Sequence, residues 1–362
     1  MVVRKKPITQ RVAEAALAAS LDRRIRTEGE LSFPAAPALL ELYMRRLLTL
    51  FASMGKAFSP AERTALRCML EPRLKDGFEH SPHSRVHIKW YAEPSPGTGL
   101  DYRIWLETAT VEAEYDHWAS SREPPLFGSN PDAKLLHVAR MLGPPSKHRV
   151  LDIGAGTGRN TLALARAGFA VDALELTPAF CKALRDAARA ERLPIDVRQG
   201  SVFTPMLALR PARYSLIVCS EVTSHFRGRD ELRVLFERAA RWSRVGGSLL
   251  VNAFVAEPGF EPPRLARELS QIAWCTVFTR QDLSAATRGL PFSRLSDESC
   301  HDYEKAHQPP EGWPPTSWYE SWSRGLNCFR VKRGKAPMEL RWLHYRKRGA
   351  KARPTRATPR TG

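Results

Sequence analysis

Between Phe33 and Met54 the residues Leu39, Leu40, Leu42, Tyr43, Leu47, Leu48 and Phe51 recur at helical spacing, which predicts an amphipathic helix. A second helical pattern, Pro60 to Leu74, follows Ser59, a residue suited to an N-cap. Two strand-like runs come next, Arg85–Ala92 and Tyr102–Leu106, parted by the turn-rich Pro94–Gly99. Together residues 31–112 read as a small α+β module, preceded by a basic arm over 1–30. Nothing in that module names a chemistry.

From about Thr110 the pattern changes to strand–helix alternation. Strands are expected at Arg149–Ile153, Ala170–Leu174, Ile195–Gln199, Ser215–Cys219 and Ser248–Phe254, with helices at Thr161–Ala167, Pro178–Glu191 and Asp230–Ser243. Apolar strands joined by helical crossovers predict a parallel sheet covered on both faces. A helix near Gln281–Thr287, a strand near Phe292–Leu295 and a last strand at Met338–Tyr345 follow. Before that last strand lies a Trp- and Pro-rich stretch, 308–323, longer than an ordinary connection. It is read as part of a lid-like insertion over 304–337. The tail 346–362 is basic, nearly devoid of apolar residues and expected to be disordered.

Composition narrows the classes. The chain has 362 residues, 43% hydrophobic and 26% charged, which excludes wholesale disorder. The six cysteines never fall in a C-x-x-C pair, so neither a zinc ribbon nor a disulfide framework is indicated. No run reaches the ~20 apolar residues of a membrane span, and the first residues offer no secretory signal. A cytoplasmic setting without membrane contact is expected. The net charge of +18 is concentrated at the ends. Residues 1–26 carry +5 and residues 332–362 carry +10, leaving +3 for the 305 residues between. A basic binding face would charge the folded body too, so nucleic-acid contact, if made, is expected to be weak and through the tails.

The informative segment is Val150–Arg159, an apolar strand ending in Asp152 and followed by Gly154, Gly156 and Gly158 before a helix opens. Glycines there permit positive φ and close approach of a ligand to the backbone. Glu175 closes the second strand, 21 residues after Gly154, where an acid can bond both ribose hydroxyls of a nucleoside. A dinucleotide fingerprint would need glycine at 159, and Arg159 stands there.

The D-x-G-x-G-x-G spacing resembles motif I of class I S-adenosylmethionine-dependent methyltransferases, and later motifs fall in order over about residues 110–345. Glu175 matches the acid after the second strand. Gly200-Ser201-Val202 matches the loop touching adenine, with Ser201 where Asp is commoner. Tyr214–Val222 matches the fourth strand, with Ser215 in place of the usual Asp, and Arg244–Val251 the glycine turn into the fifth. The resemblance implies a seven-stranded, mostly parallel Rossmann-like sheet with helices on both faces, and S-adenosylmethionine as cofactor. Its cofactor contacts map onto Tyr115, Asp152, Gly154, Ala155, Gly156, Gly158, Glu175, Leu176, Ser201, Val202 and Ser220. It also implies that the segment Val111–Trp118 closes over the cofactor, with Tyr115 bonding its carboxylate and Trp118 flanking the pocket. A core aromatic pair joining the two modules is the plain alternative.

Acceptor residues are sought at the carboxyl ends of the fourth and fifth strands, which offer Ser220, Glu221, Ser224, His225 and Asn252. His225 is the first candidate for a general base, because an imidazole titrates near neutrality; a structural histidine beside Arg227 is the alternative. A second cluster runs from Ser296 to His307. His301, Tyr303 and Glu304 are expected to serve acid–base chemistry on the acceptor side, with the Trp-rich insertion as lid. His301, Glu304 and His307 also have a spacing open to a metal, and a polar helix start is the plain reading. No Asp/Asn-Pro-Pro-Tyr box follows the fourth strand and no Pro-Cys pair occurs, which weighs against base-modifying enzymes. A small-molecule O or N acceptor is therefore expected. An RNA- or protein-modifying enzyme and a non-catalytic cofactor-binding scaffold remain the alternatives.

Overall fold

The computed structural model describes residues 9–22, 28–92, 100–123, 125–205, 207–331 and 334–349. Parts of the basic arm, the turn at 94–99 and the tail from 350 onward lie outside these residues. The chain divides into two compact units, Met1–Val111 and Glu112–Gly362.

In the first unit, α1 (Gln10–Asp22) precedes β1 (Glu28–Pro34), α2 (Leu40–Ser53), α3 (Pro60–His80), β2 (Arg85–Ala92) and β3 (Leu100–Glu107). The strands form an antiparallel sheet in the order β1-β2-β3. Alternate β2 residues Val86, Ile88 and Trp90 face the core, where they meet Tyr43, Leu47 and Phe51 of α2 and Leu66, Leu70 and Leu74 of α3. Ser59 caps α3 reciprocally with Glu62. A side chain at Gly77 would come within 2.6 Å of Leu106, so the helix needs glycine to lie this close to the sheet. The helix expected to start near Phe33 begins later. Phe33 is in β1, which pairs with β2, and its ring sits 4.2 Å from Tyr43.

The second unit opens with α4 (Val111–Ser121) and α5 (Ala133–Arg140). It continues β4 (Arg149–Ile153), α6 (Arg159–Arg166), β5 (Ala170–Glu175), α7 (Pro178–Ala190), β6 (Ile195–Gln199), β7 (Tyr214–Cys219), α8 (Arg229–Trp242) and β8 (Ser243–Ala256). After these come α9 (Arg264–Ile272), β9 (Val277–Phe278), α10 (Arg280–Thr287), β10 (Phe292–Ser299), α11 (Cys300–His307), α12 (Tyr319–Ser323) and β11 (Met338–Lys347). The sheet runs β10-β11-β8-β7-β4-β5-β6. The pairs from β8 to β6 are parallel, and β11 and β10 add antiparallel edge strands. The expected seven strands are the path; β9, a two-residue strand parallel to β8, makes an eighth. Strand order reverses between β4 and β7, and in open α/β sheets ligands bind outside the carboxyl ends of the strands at such a switch point.

Alternation along the strands divides the core. Leu151, Ile217 and Val251 face α8 and α10 through Leu235, Phe236 and Leu283. Val150, Leu216 and Leu250 face the other way, toward α5, α6 and α12. Two expectations change here. Tyr319 and Trp322 of the Trp-rich stretch are buried, with Trp322 edge-on to Phe254 at 5.0 Å, so α12 is a core helix and no lid. The last strand also outruns Tyr345: Arg346 and Lys347 pair with Ser293 and Phe292, and Lys347 Nζ donates to the carbonyls of Ala240 and Ser243. The tail thus starts later than its composition suggested. Among the described residues no helix is long and apolar enough to cross a membrane.

Candidate active site

The loop between β4 and α6 takes left-handed backbone at Gly154 (φ +73°), Gly156 (+56°) and Gly158 (+99°). A Cβ at Gly154 would lie 2.2 Å from Val222, and one at Gly158 would lie 2.5 Å from Leu184. The glycines are therefore demanded twice, by conformation and by space. Above Gly156 lies the ring of Phe127, 3.4 Å from where a Cβ would be. Glu175, at the end of β5, accepts from the Gly156 amide and the Thr177 amide, both at 2.8 Å. Burial raises its carboxyl above the usual range against those amides.

Several expected cofactor residues turn out to be structural through their side chains. Asp152 is buried and accepts from Thr161 Oγ1 at 2.6 Å, tying the end of β4 to the first turn of α6. Burial pushes its carboxyl up to about 6. Ala155 packs on Leu184 and Ala173, and Val202 is buried in the main core, so each offers a ligand only backbone. Ser201 Oγ accepts from the Phe203 amide and shapes the turn after β6. Leu176 is half-buried beside Glu175.

Ser220 belongs to a buried polar network. Its hydroxyl donates to Asp132 (2.7 Å), which also accepts from Asn160 Nδ2 (2.8 Å) and ion-pairs with Arg159. Arg159 Nη2 lies 2.8 Å from Glu221, and the Glu221 amide donates to Asn252 Oδ1 at 2.6 Å. The network thus ties the carboxyl end of β7 and Asn252 within β8 to the start of α6. Glu221 has φ +62°, a strained conformation for a non-glycine residue. Burial pushes its carboxyl up to about 7; Arg159 opposes the shift and the charges of Asp132 and Glu304 add to it. One guanidinium cannot neutralise both Asp132 and Glu221.

A ring cluster closes the same end of the sheet. Tyr115 of α4 contacts Trp118, Phe127, Phe180, His225 and Trp274, with centroids 5.2–6.0 Å apart. Trp118 stacks on Trp274 at 5.0 Å, and the Arg122 guanidinium lies 3.9 Å from the other ring of that pair, Trp118. Tyr115 Oη and His225 Nε2 are 2.9 Å apart. Burial raises the Tyr115 hydroxyl well above its ordinary value, so it stays protonated; the imidazole tautomer sets which of the two donates. Tyr115 was expected to meet a cofactor carboxylate; its partner here is His225.

The 296–307 cluster does not converge. Glu304 turns inward and accepts from the amides of Ala133 (2.7 Å) and Lys134 (3.2 Å) and from Trp342 Nε1 (2.9 Å). It satisfies the first turn of α5, a structural duty that occupies the expected acid. Tyr303 stacks on His307 at 4.1 Å with Lys134 over its ring at 4.4 Å, and His307 Nδ1 donates to the Tyr303 carbonyl. His301 pairs with Asp302 and lies edge-on to Trp313. His301, Tyr303 and Glu304 thus do not come together as the acid–base group expected of them. Among the described residues no group of three or more His, Cys, Asp or Glu is placed to hold a metal ion. Between residues 125–130 and the Pro-rich 311–318 lies a cavity of about 360 Å³.

Sequence reasoning missed Asp132, Phe127, Phe180 and Trp274. Trp274 follows α9, itself unforeseen, and Asp132 was invisible because its partners come from α6 and β7. In the sequence Arg159 stands out only as the residue where a dinucleotide fingerprint has glycine.

Residues 150–247 match the family model described as a methyltransferase domain. Among curated proteins the chain is similar to ubiquinone biosynthesis O-methyltransferase of Xylella fastidiosa (strain 9a5c), 31% identical over 36% of this chain and 50% of that protein. It is also similar to the protein of the same name in Xanthomonas campestris pv. campestris (strain B100), 30% identical over 39% of this chain and 56% of that one. The chain thus spans about half the length of these relatives. A solved geranyl diphosphate C-methyltransferase from Streptomyces coelicolor A3(2) superposes with a TM-score of 0.49 at 15% identity, over 66% of this chain and 99% of that one.

Proposed function

We propose that this chain, which carries a class I S-adenosylmethionine-dependent methyltransferase domain, methylates an oxygen of a small, apolar-bodied acceptor. The observation that carries the reading is the Tyr115–His225 pair, enclosed by rings at the switch point of the sheet and beside the glycine loop. Rings on several sides suit a small apolar molecule with one polar group to be handled. An oxygen acceptor agrees with the names of the similar curated proteins.

The residues present fit the cofactor. Gly154, Gly156 and Gly158 keep side chains off the loop, and Glu175 is a buried acid with lone pairs to spare beyond its two amide partners. Glu175 would hold the ribose hydroxyls, the loop backbone the methionine part, and the Ser201–Val202 backbone the adenine, with Leu176 alongside. Bound S-adenosylmethionine supplies a methyl carbon on a sulfonium, open to in-line displacement. The chain's work is to align the acceptor, exclude water and take its proton. His225 Nε2 is the atom that Tyr115 holds in the closed cluster, and in the tautomer with Nε2 unprotonated it is a proton acceptor. An incoming hydroxyl that replaces Tyr115 there gives its proton to the imidazole, while Trp118, Trp274, Phe127 and Phe180 keep water out.

A second reading makes Glu221 the base, because its carboxyl sits at about 7 at the end of β7. Methyl transfer from labelled cofactor to small phenols decides between them. His225→Ala should lower kcat ~10²–10⁴-fold with the Kd for S-adenosylhomocysteine unchanged. If Glu221→Gln takes that loss instead, the base is Glu221. Normal turnover in both variants would overturn the assignment of the acceptor site.

A further inference from the structure

Basic side chains gather at the edge of the large sheet opposite the glycine loop. β4, β7 and β8 run parallel and β11 runs antiparallel beside β8, so the amino ends of the first three and the carboxyl end of β11 share that edge. Lys147 and Arg149 stand at the entry to β4, Arg213 just before β7 and Arg244 at the start of β8, while Arg346 and Arg348 arrive at the end of β11. Contacts join these segments. Arg149 and Arg213 share the buried carboxylate of Asp172, and the Ala212 amide donates at 2.9 Å to the carbonyl of Arg241, in the last turn of α8. Arg244 Nη2 lies 3.1 Å from His148 Nδ1, and Arg346 Nε donates to the Gly246 carbonyl at 3.3 Å. Little negative charge answers them. Asp172 also accepts from Tyr214 Oη, and Asp196, whose charge acts on Arg149, is paired with Arg198 at 2.7 Å. Lys147, Arg241, Arg244, Arg346 and Arg348 are exposed, and among the described residues no carboxylate lies within ion-pair distance of them.

We infer that this edge binds the sugar–phosphate backbone of a nucleic acid, without reading its bases and apart from the proposed methyl-transfer site.

Like charges this close repel, and an anion laid across them relieves the repulsion. Four adjacent strands spread the cations over ~14 Å, farther than one small anion bridges, which suits a polymer of phosphates. Most of them are arginines, whose planar fork meets phosphate oxygens two at a time. Tyr214 and Trp242, the rings of these segments, are buried, so contact with a backbone is favoured over stacking of bases. The cations come from strand ends and turns rather than from an amphipathic helix, the form in which chains lie in a membrane surface. The chain also leaves this edge into its most basic stretch. A Cβ at Gly349 would lie 3.6 Å from Val245, next to Arg244, and residues 350–362 add Lys351, Arg353, Arg356 and Arg360. The proposed acceptor site is at the opposite, carboxyl ends of the strands, so the two sites are separate in space.

The test titrates a short fluorescent RNA of mixed sequence with the full chain at several salt concentrations and reads polarisation. Lys147→Glu, Arg244→Glu and Arg348→Glu together should weaken binding at least ~10-fold and flatten the log–log salt slope by ~2. The same change of charge placed on exposed residues of the first unit, Arg45→Glu, Arg46→Glu and Lys75→Glu, should cost far less. Serine in place of the four basic residues of 350–362 should also cost less than the edge variant. Melting curves check that each variant is folded, and glutamine at the same three edge positions replaces glutamate if Tm falls. Equal losses from the first-unit and edge variants overturn the proposal, as does binding that vanishes with the tail substitutions alone. So does a chain that ignores RNA at low salt, whether or not it binds phosphatidylglycerol vesicles. The readout is binding and involves no methyl transfer, so failure of the enzymatic reading would leave it untouched.

Discussion

Glu175 has a role in folding that stands apart from the cofactor binding proposed for it. Its carboxylate accepts from the amides of Gly156 and Thr177, so it shapes the glycine loop before any ligand arrives. Glu175→Ala leaves two amides without their partner and should lower both Tm and cofactor affinity. Glu175→Gln keeps an acceptor oxygen and should chiefly weaken S-adenosylhomocysteine binding, by ~1.5–3 kcal/mol or ~10–150-fold, in calorimetry. Wild-type affinity in both variants would sink the cofactor site. Glu221 yields a different prediction at the same scale. The folded protein holds its proton up to about 7, whereas the unfolded chain releases it near 4.5. Between those values the folded state binds more protons, so this group's contribution to stability falls as pH rises through the window. Asp152 and His344 titrate as well, so the informative quantity is a difference between proteins. The Tm of Glu221→Gln minus that of the wild type should climb from pH 5 to 7 and then level off. A flat difference would refute the burial argument.

The elements were legible wherever local sequence decides them. β4, β6 and β2 have the bounds expected from their apolar runs, and α7 and α8 differ by a residue or two. What escaped was decided by tertiary partners. β1 reads as the approach to a helix, because Phe33 is apolar and only pairing with β2 makes Glu28–Pro34 a strand. β9 is two residues long and exists through its pairing with β8. The cofactor loop was visible because its glycines meet a conformational demand written in adjacent residues. The ring cluster was not, since Tyr115, Phe127, Phe180, His225 and Trp274 come from five separate segments of the chain. Glu304 and the Trp-rich stretch mislead for the opposite reason. Polar and aromatic residues in sequence look like a pocket, yet Glu304 caps α5 and Tyr319 and Trp322 fill the core. On the proposed reading α4, which brings Tyr115 to His225, bears on the acceptor more than the insertion does.

At the scale of the molecule the question is whether the charge of +18 serves the reaction. Residues 350–362 carry Lys351, Arg353, Arg356 and Arg360, no acid, and no apolar residue larger than proline. The cut must fall after Gly349, because a deletion from Arg346 would strip paired residues from β11 and the Lys347 bonds to Ala240 and Ser243. For a small uncharged acceptor these four charges contribute nothing. A chain ending at Gly349 should keep its Tm and its kcat/KM, and KM should stay constant between about 50 and 200 mM salt. A nucleic-acid acceptor behaves otherwise. Each phosphate contact releases counterions, so affinity falls with a log–log slope of about 0.7–0.9 per contact, and removing four basic residues flattens that slope by up to ~3.6. A KM that rises steeply with salt in the full chain, and loses that rise in the truncated one, would transfer the acceptor from the small-molecule class to the polyanionic one. The rings of Tyr115 and Trp274 standing edge-on to His225 argue for the first outcome, since a polyphosphate backbone needs a charged groove and an apolar molecule suits aromatic walls.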